Sequence, residues 1–365
     1  MVNSVPGKTL KSSTKELAIF DIAKMIFAFF VVCIHTGVGM PNADFYLMQS
    51  LFRTAVPSFF FLAGYFLFGK FPVTKNLDEN SRQTVKKYVI RIFMMYVIWS
   101  LFYLIAVQLP GWAKSGVGVR EILIYVEYAI VRGDSYLHLW YLAALYTGMA
   151  LVYICRKWLD TKVTLIISFV FFIIGLLLQP YYFLIAPAVE RVSVAKWLFE
   201  EVFNRFIGSP RCGLFFGFMF VALGAYFAEH KKIIKRWVSL AGVVVSFGLS
   251  MIEVTVIDKN WFWGDGTYGS VQLSHIPLTI FLFCFLCSFD NVKIKYAKEI
   301  RTVSTLIYLL HPAVMLLVKM IPNFGQWRDY PFAFGIVVYL LSIIVSVVWI
   351  KLEELKPFVI LKKLR

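Results

Sequence analysis

The chain has 365 residues, 60% of them hydrophobic and 16% charged, with a formal net charge of +16. That apolar content exceeds what a water-soluble domain of this length can hide, and its arrangement in long runs excludes a soluble core. The positive charge is spread over many short segments instead of one stripe, so no nucleic-acid partner is required.

In chain order, apolar runs lie near 17–37, 54–69, 91–109, 139–155, 163–181, 211–228, 237–257, 271–289, 303–321 and 332–351. A hydrocarbon core of roughly 30 Å needs about 20 helical residues to cross it. Runs such as FMMYVIWSLFYLIAV and LIISFVFFIIGLLL are apolar around most of their circumference and do not alternate with period two, which favours helices over barrel strands. The expected fold is all-α: a polytopic membrane bundle of about ten transmembrane helices, in one domain over 1–365.

Of the 37 Lys and Arg, 25 fall in the two chain ends and the alternate connections that share their side, against 11 in the opposite connections. The excess predicts that both termini face the cytoplasm. The first run starts near Leu17 and ends at HTGVGM with no cleavage pattern, and is expected to be a retained helix. Cys33, Cys155, Cys212, Cys284 and Cys287 lie in or beside spans, as buried reduced thiols would. Between spans, the segments 110–138 and 182–210 contain EILIYVEYAIV and AKWLFEEVF, amphipathic stretches expected to lie flat on the outer interface. Trp112, Trp197, Trp261 and Trp263 suit an aromatic belt.

Ionisable groups inside spans are costly, and so are candidates for function. The first span, DIAKMIFAFFVVCIHTG, holds Asp21, Lys24 and His35. Helical geometry puts Lys24 and His35 within about 20° of each other and about 16 Å apart, with Asp21 on the same side. One face thus carries a cation near the cytoplasm and an imidazole toward the outer half. A neutral imidazole, with an ordinary pKa of about 6.5, is suited to take a proton from a hydroxyl. The cation is suited to a phosphate. Equally open is a local Asp21–Lys24 pair with His35 hydrogen-bonded at the interface.

These residues resemble the signature of the acyltransferase 3 family: a basic residue, ten residues, then His, here Lys24 and His35. RTAVPSFFFLAGYFLF is similar to the second-span motif at Arg53, Pro57, Gly64 and Tyr65, with Ala63 where serine is usual. KKYVIRIFMMYVIWS matches a basic third-span start at Arg91, with Met95 in place of a common proline. HLWYLAALY resembles the His-x-Trp-Tyr-Leu segment at His138, Trp140 and Tyr141. RCGLFFGFMFVALGAYFA resembles the Arg-x-Gly-Leu helix at Arg211, Gly213, Gly217 and Gly224, and STLIYLLHPAVM carries Tyr308 and His311 in the late-helix setting.

The resemblance covers essentially the whole chain. It implies transfer of an acyl group, by default acetyl from cytoplasmic acetyl-CoA as donor substrate with no bound cofactor or metal, to a hydroxyl of a cell-envelope glycan, in a bacterial cytoplasmic membrane. It casts His35 as general base, Lys24 and Arg91 as donor-binding groups, and Arg53, His138 and Arg211 as groups ordering the pore or acceptor. Tyr65, Asp21, Glu253 and His311 complete the candidate set.

Several of these have plainer readings. Arg53 and Arg211 each begin a span, where arginine also anchors to headgroups. His138 suits a belt, and His311 can satisfy backbone freed by Pro312. Glu253, in the seventh span, is a second proton-handling candidate with no visible partner. His230 and His275 read as loop or helix-end residues, and Gly213, Gly217 and Gly224 as close-packing sites. A transporter or exporter of a small amino acid or polysaccharide on the same bundle is the alternative function.

Overall fold

The computed structural model describes residues 14–37, 43–71, 77–230, 234–260, 270–289, 292, 294–321 and 330–355. Trp261 and Trp263 lie outside them. Among the described residues there is no strand. The helices are α1 (Thr14–His35), α2 (Ala43–Phe52), α3 (Ala55–Phe68), α4 (Glu79–Tyr103), α5 (Leu109–Ser115), α6 (Val119–Glu127), α7 (Trp140–Cys155) and α8 (Thr161–Leu178). They continue as α9 (Tyr182–Arg191), α10 (Ser193–Trp197), α11 (Phe218–Glu229), α12 (Arg236–Lys259), α13 (His275–Cys287), α14 (Ala297–Lys319) and α15 (Pro331–Leu352). A π-helical turn, Leu104–Gln108, joins α4 to α5, and another, Gly213–Gly217, leads into α11.

Which residues face inward identifies the solvent. On α12 the buried residues are Ser239, Ser246, Ser250, Val254 and Ile257, while Val244, Val245, Leu249 and Ile252 are exposed. On α15 Ser342 and Ser346 are buried, while Leu340, Ile344 and Val348 are exposed. A helix of a water-soluble protein would show the reverse pattern. Hydroxyl and small residues against protein, with aliphatic residues outward, is the pattern set by lipid. Among the described residues seven helices are long and apolar enough to cross a membrane, and Trp140–Cys155, Gly213–Glu229 and His275–Cys287 are shorter apolar helices. The protein is an all-α polytopic membrane bundle.

Helix boundaries depart from hydropathy where charge and helix coexist. The run expected over 91–109 belongs to a helix spanning Glu79–Ser115. Its first turns carry Arg82, Lys86 and Lys87, which hydropathy discounts but which form helix readily. Asp78 caps that helix, its carboxylate accepting from the Ser81 amide at 2.8 Å. Asp160 does the same for α8 through the Val163 amide, also at 2.8 Å. The amphipathic stretches are helical, in α6 and α10 with the π-helical turns that follow them, and they leave Leu123, Ile130, Val194 and Trp197 exposed.

The centre is held by close backbone approaches. A side chain at Gly64 would strike the Val221 carbonyl, one at Gly224 the Phe61 carbonyl, and one at Gly217 the Ala144 carbonyl. Small residues therefore let α3, α7 and the α11 segment approach to backbone contact, as expected for Gly217 and Gly224. At Gly213 the obstacle is the Thr147 side chain. A fully buried Arg156 closes the end of the bundle where α1 begins: its guanidinium donates to Glu229 at 2.9 Å and to the Leu159 carbonyl at 2.8 Å.

Candidate active site

Near the start of α1, Asp21 is buried and receives two cations. Arg301 of α14 donates to both carboxylate oxygens, at 3.0 and 2.8 Å, and Lys24 lies 3.3 Å away. The local Asp21–Lys24 pair is present, but it is part of a triad that ties α1 to α14. Lys24 also sits 5.0 Å above the Phe66 ring. The triad keeps one net positive charge, and the Arg301 side chain is 47% exposed, so the charge is available to an anion arriving from outside the bundle.

At the other end of α1, His35 lines a pocket of about 580 Å³, its mouth included. Arg53, His138, Trp140, Tyr141, Arg211, Ser270 and Tyr308 line the same space. Arg53 and Arg211 thus share the His35 pocket, a placement that headgroup anchoring does not explain. Arg53 is oriented by the Gln49 side chain and by Ser270 Oγ at 2.7 Å, and Arg211 lies 5.4 Å from the Trp140 ring centroid. Tyr141 packs at a tilt against Phe60 and edge-to-face against Tyr308, lining the space with aromatic surface.

Behind His35 lie two more imidazoles. The ring centroid of His311 is 5.2 Å from those of His35 and His138, and His35 and His138 are 6.5 Å apart. Pro312 has no amide hydrogen, so the Tyr308 carbonyl loses its helical donor. His311 Nδ1 fills that place, 2.9 Å from the Tyr308 carbonyl and 3.0 Å from that of Ile307. Both partners are acceptors, so Nδ1 carries the proton and Nε2 keeps its lone pair. Satisfying the backbone and facing the site are therefore one role. His138 is held through its main chain, whose carbonyl accepts from Tyr308 at 2.8 Å. Among the described residues no group of three or more His, Cys, Asp or Glu is placed to hold a metal.

Other candidates lie elsewhere. Tyr65 belongs to an aromatic cluster, edge-to-face with Phe283 (4.7 Å) and Phe66 (5.4 Å) toward the Lys24 end, and Arg91 lies on the exposed face of α4. Glu253 has partners after all: it accepts from Tyr181 and the Leu273 amide, both at 2.5 Å, and from the Ser274 amide at 2.8 Å. It fastens the start of α13 instead of handling protons in the pocket. His275 is a helix-end residue, the first of α13, and it is fully buried. Sequence reasoning missed Arg301, counted only as a topology signal, and Ser270. Arg301 precedes the Tyr308–His311 motif on the same helix by two to three turns, the one local sign that it shares the α1 neighbourhood.

With this geometry in view, comparison with known proteins is decisive on one point. A family model described as an acyltransferase domain, Acyl_transf_3, matches residues 17–351. The chain belongs to the acyltransferase 3 family. The family is, in general terms, one of membrane acyltransferases, and the motifs that pointed there converge on the pocket at His35, Arg53, His138 and Arg211. Among curated proteins, this family member is 28% identical over 309 residues to an amino-acid racemase of Enterococcus faecalis, covering 83% of this chain and 42% of that protein. It is 27% identical over 297 residues to a serine/alanine racemase of Enterococcus gallinarum, covering 80% and 40% respectively. The chain thus spans about two fifths of the length of these relatives. No solved structure matches it.

Proposed function

We propose that the protein moves an acyl group, acetyl by default, from cytoplasmic acyl-CoA to a hydroxyl of an extracytoplasmic cell-envelope sugar or polysaccharide, in a bacterial cytoplasmic membrane. The observation that carries this reading is the division of labour along α1. A net cationic triad sits at one end, and His35 opens into a pocket about 16 Å away along the helix. Lys24, with Arg301 beside it, receives the phosphates of the donor, and Arg91 adds cationic charge on α4. Arg53, Arg211 and His138 order the acceptor around His35.

The acceptor hydroxyl gives its proton to His35 as its oxygen attacks the thioester carbonyl, forming the C–O ester bond. The C–S bond then breaks, and the imidazolium returns the proton to the departing thiolate. No other base is needed, and Cys33, buried on another face of α1, has no part in it.

A second reading draws on the relatives. Both are named for amino-acid chemistry, and both align over at least 80% of this chain. A bundle that moves a small amino acid would also use a compact cationic pocket. Label transfer tests both readings, with radiolabelled acetyl-CoA added to one face of vesicles and envelope glycan extract supplied at the other. Label on glycan, lost in His35→Ala, supports acyl transfer. No label in either protein, together with uptake of labelled serine or alanine, would sink it in favour of transport.

A further inference from the structure

Two enclosed polar side chains of α13 have no part in the site above. His275 is 0% exposed and neither ring nitrogen has a hydrogen-bond partner, and Thr279 is 3% exposed with its hydroxyl also unpartnered. Four residues apart, they share one face of the helix, about 6 Å apart along its axis. A buried donor or acceptor without a partner is uncommon in a folded protein, and points to a group that arrives later.

Their surroundings say where that group runs. Thr279 lines a second crevice, of about 200 Å³ with its mouth included, walled by Phe20 and Phe27 of α1, by Ser58 and Phe61 of α3, and by Phe283. The His35 pocket is bounded by the same two helices, with Val31 and His35 from α1 and Val56 and Phe59 from α3. Along α1 the lining steps from the pocket toward the Lys24 end as it enters the crevice, and on α3 the two linings interleave, with Ser58 of the crevice between Val56 and Phe59 of the pocket. On the third wall Ser270 belongs to the pocket and Thr279 to the crevice, and His275 lies between them in the chain. Phe20 lies one turn from Lys24.

We propose that this crevice, with His275 and Thr279, is the track that holds the amide-bearing pantetheine arm of the acyl-CoA donor. The proposal rests on the acyl-CoA reading and adds a site to it. An arm that reaches from phosphates near Lys24 to a thioester beside His35 passes through this space. Its amides need partners once they leave water. An imidazole and a hydroxyl each offer a donor and an acceptor, and the phenyl walls pack the arm's methylene and methyl groups. His275, nearer the pocket, meets the amide next to the thioester, and Thr279 the amide deeper in. The contacts are non-covalent.

Acyl transfer is measured with full-length protein in vesicles, using acetyl-CoA and S-acetyl-N-acetylcysteamine, a truncated donor that keeps only the amide next to the thioester. Thr279→Val, which preserves shape, is expected to raise KM for acetyl-CoA about tenfold with kcat little changed, and to leave the truncated donor unaffected. Thr279→Ser restores the wild-type KM, and His275→Leu raises KM for both donors. Wild-type transfer with an unaltered KM in Thr279→Val, or equal losses with both donors in that variant, overturns the track. Absence of transfer from either donor by wild-type protein means that the acyl-CoA reading has failed and takes the track with it. Should His275→Leu not accumulate, the valine and serine variants decide the matter alone.

Discussion

His311 and His35 come from different helices, yet their ring centroids lie 5.2 Å apart, and the proton on His311 is fixed by backbone carbonyls that the neighbouring Pro312 helps to expose. A lone pair is thereby held beside the proposed base. His311→Ala is expected to lower kcat by about 100-fold with little change in KM for either substrate, the lower end of the scale of acid–base assistance. Pro312→Ala, which returns an amide donor to Tyr308, should produce a smaller loss in the same direction. Steady-state kinetics on both variants checks this, and unchanged kcat in His311→Ala would remove the assistance.

Lys24→Ala is expected to weaken use of the donor, raising KM for acetyl-CoA several-fold while transfer at saturating donor persists. Asp21 keeps Arg301 as a partner in that variant, so the fold should survive. An equal loss of rate at every donor concentration would argue against a donor-binding role.

Much of the bundle was legible because lipid enforces long apolar runs, and the family motifs are local enough to read in order. What remained hidden depends on distance in the chain. Nothing near Asp21 announces Arg301, and nothing near His138 announces His311, because helix packing alone makes them neighbours. Hydropathy also marks bilayer residence more directly than helix. The span expected over 91–109 therefore covers only the apolar part of the helix Glu79–Ser115, and the burial of His275, at the first position of α13, has no sign in its neighbours along the chain.

Arg156 tests the fold without touching the site. Its guanidinium is fully buried against Glu229, and Thr161 shares the same carboxylate. Truncating one partner of such a pair typically costs about 3–5 kcal/mol. Arg156→Ala should therefore lower thermal stability in detergent strongly, and the fraction that stays folded should keep its specific activity. A melting curve with activity normalised to folded protein would show whether the pair is structural.

Gly224→Leu should also destabilise, for a different reason, since its side chain would meet the Phe61 backbone, which cannot swing aside. Overpacking of this kind costs about 1–3 kcal/mol. Gly248→Leu, on the open side of α12, meets nothing within 4 Å and serves as the control. Comparable melting temperatures for the two variants would contradict the close approach of α3 and α11.

Hydrogen bonds from Ser81, side chain first and then backbone, hold the Asp78 carboxyl below its ordinary range. A depressed carboxyl contributes stability above its unfolded pKa and loses it as pH falls through the folded one. Asp78→Asn should therefore flatten the acid limb of the stability profile, read from melting temperature below about pH 4. An acid limb identical to wild type would show that the cap contributes nothing there.

The helix Glu79–Ser115 holds 37 residues, roughly 55 Å of rod, against a hydrocarbon thickness of about 30 Å. Just before it, the Leu77 amide donates to the Arg156 carbonyl, and along it Tyr96 and Ser100 grip Ala129 and Ser135, which lead directly to His138. It is therefore a drive shaft that outreaches the bilayer. One residue inserted between Arg82 and Tyr96 would turn everything beyond it by about 100°, carrying the grip on the His138 segment out of register while every residue of the pocket stayed the same.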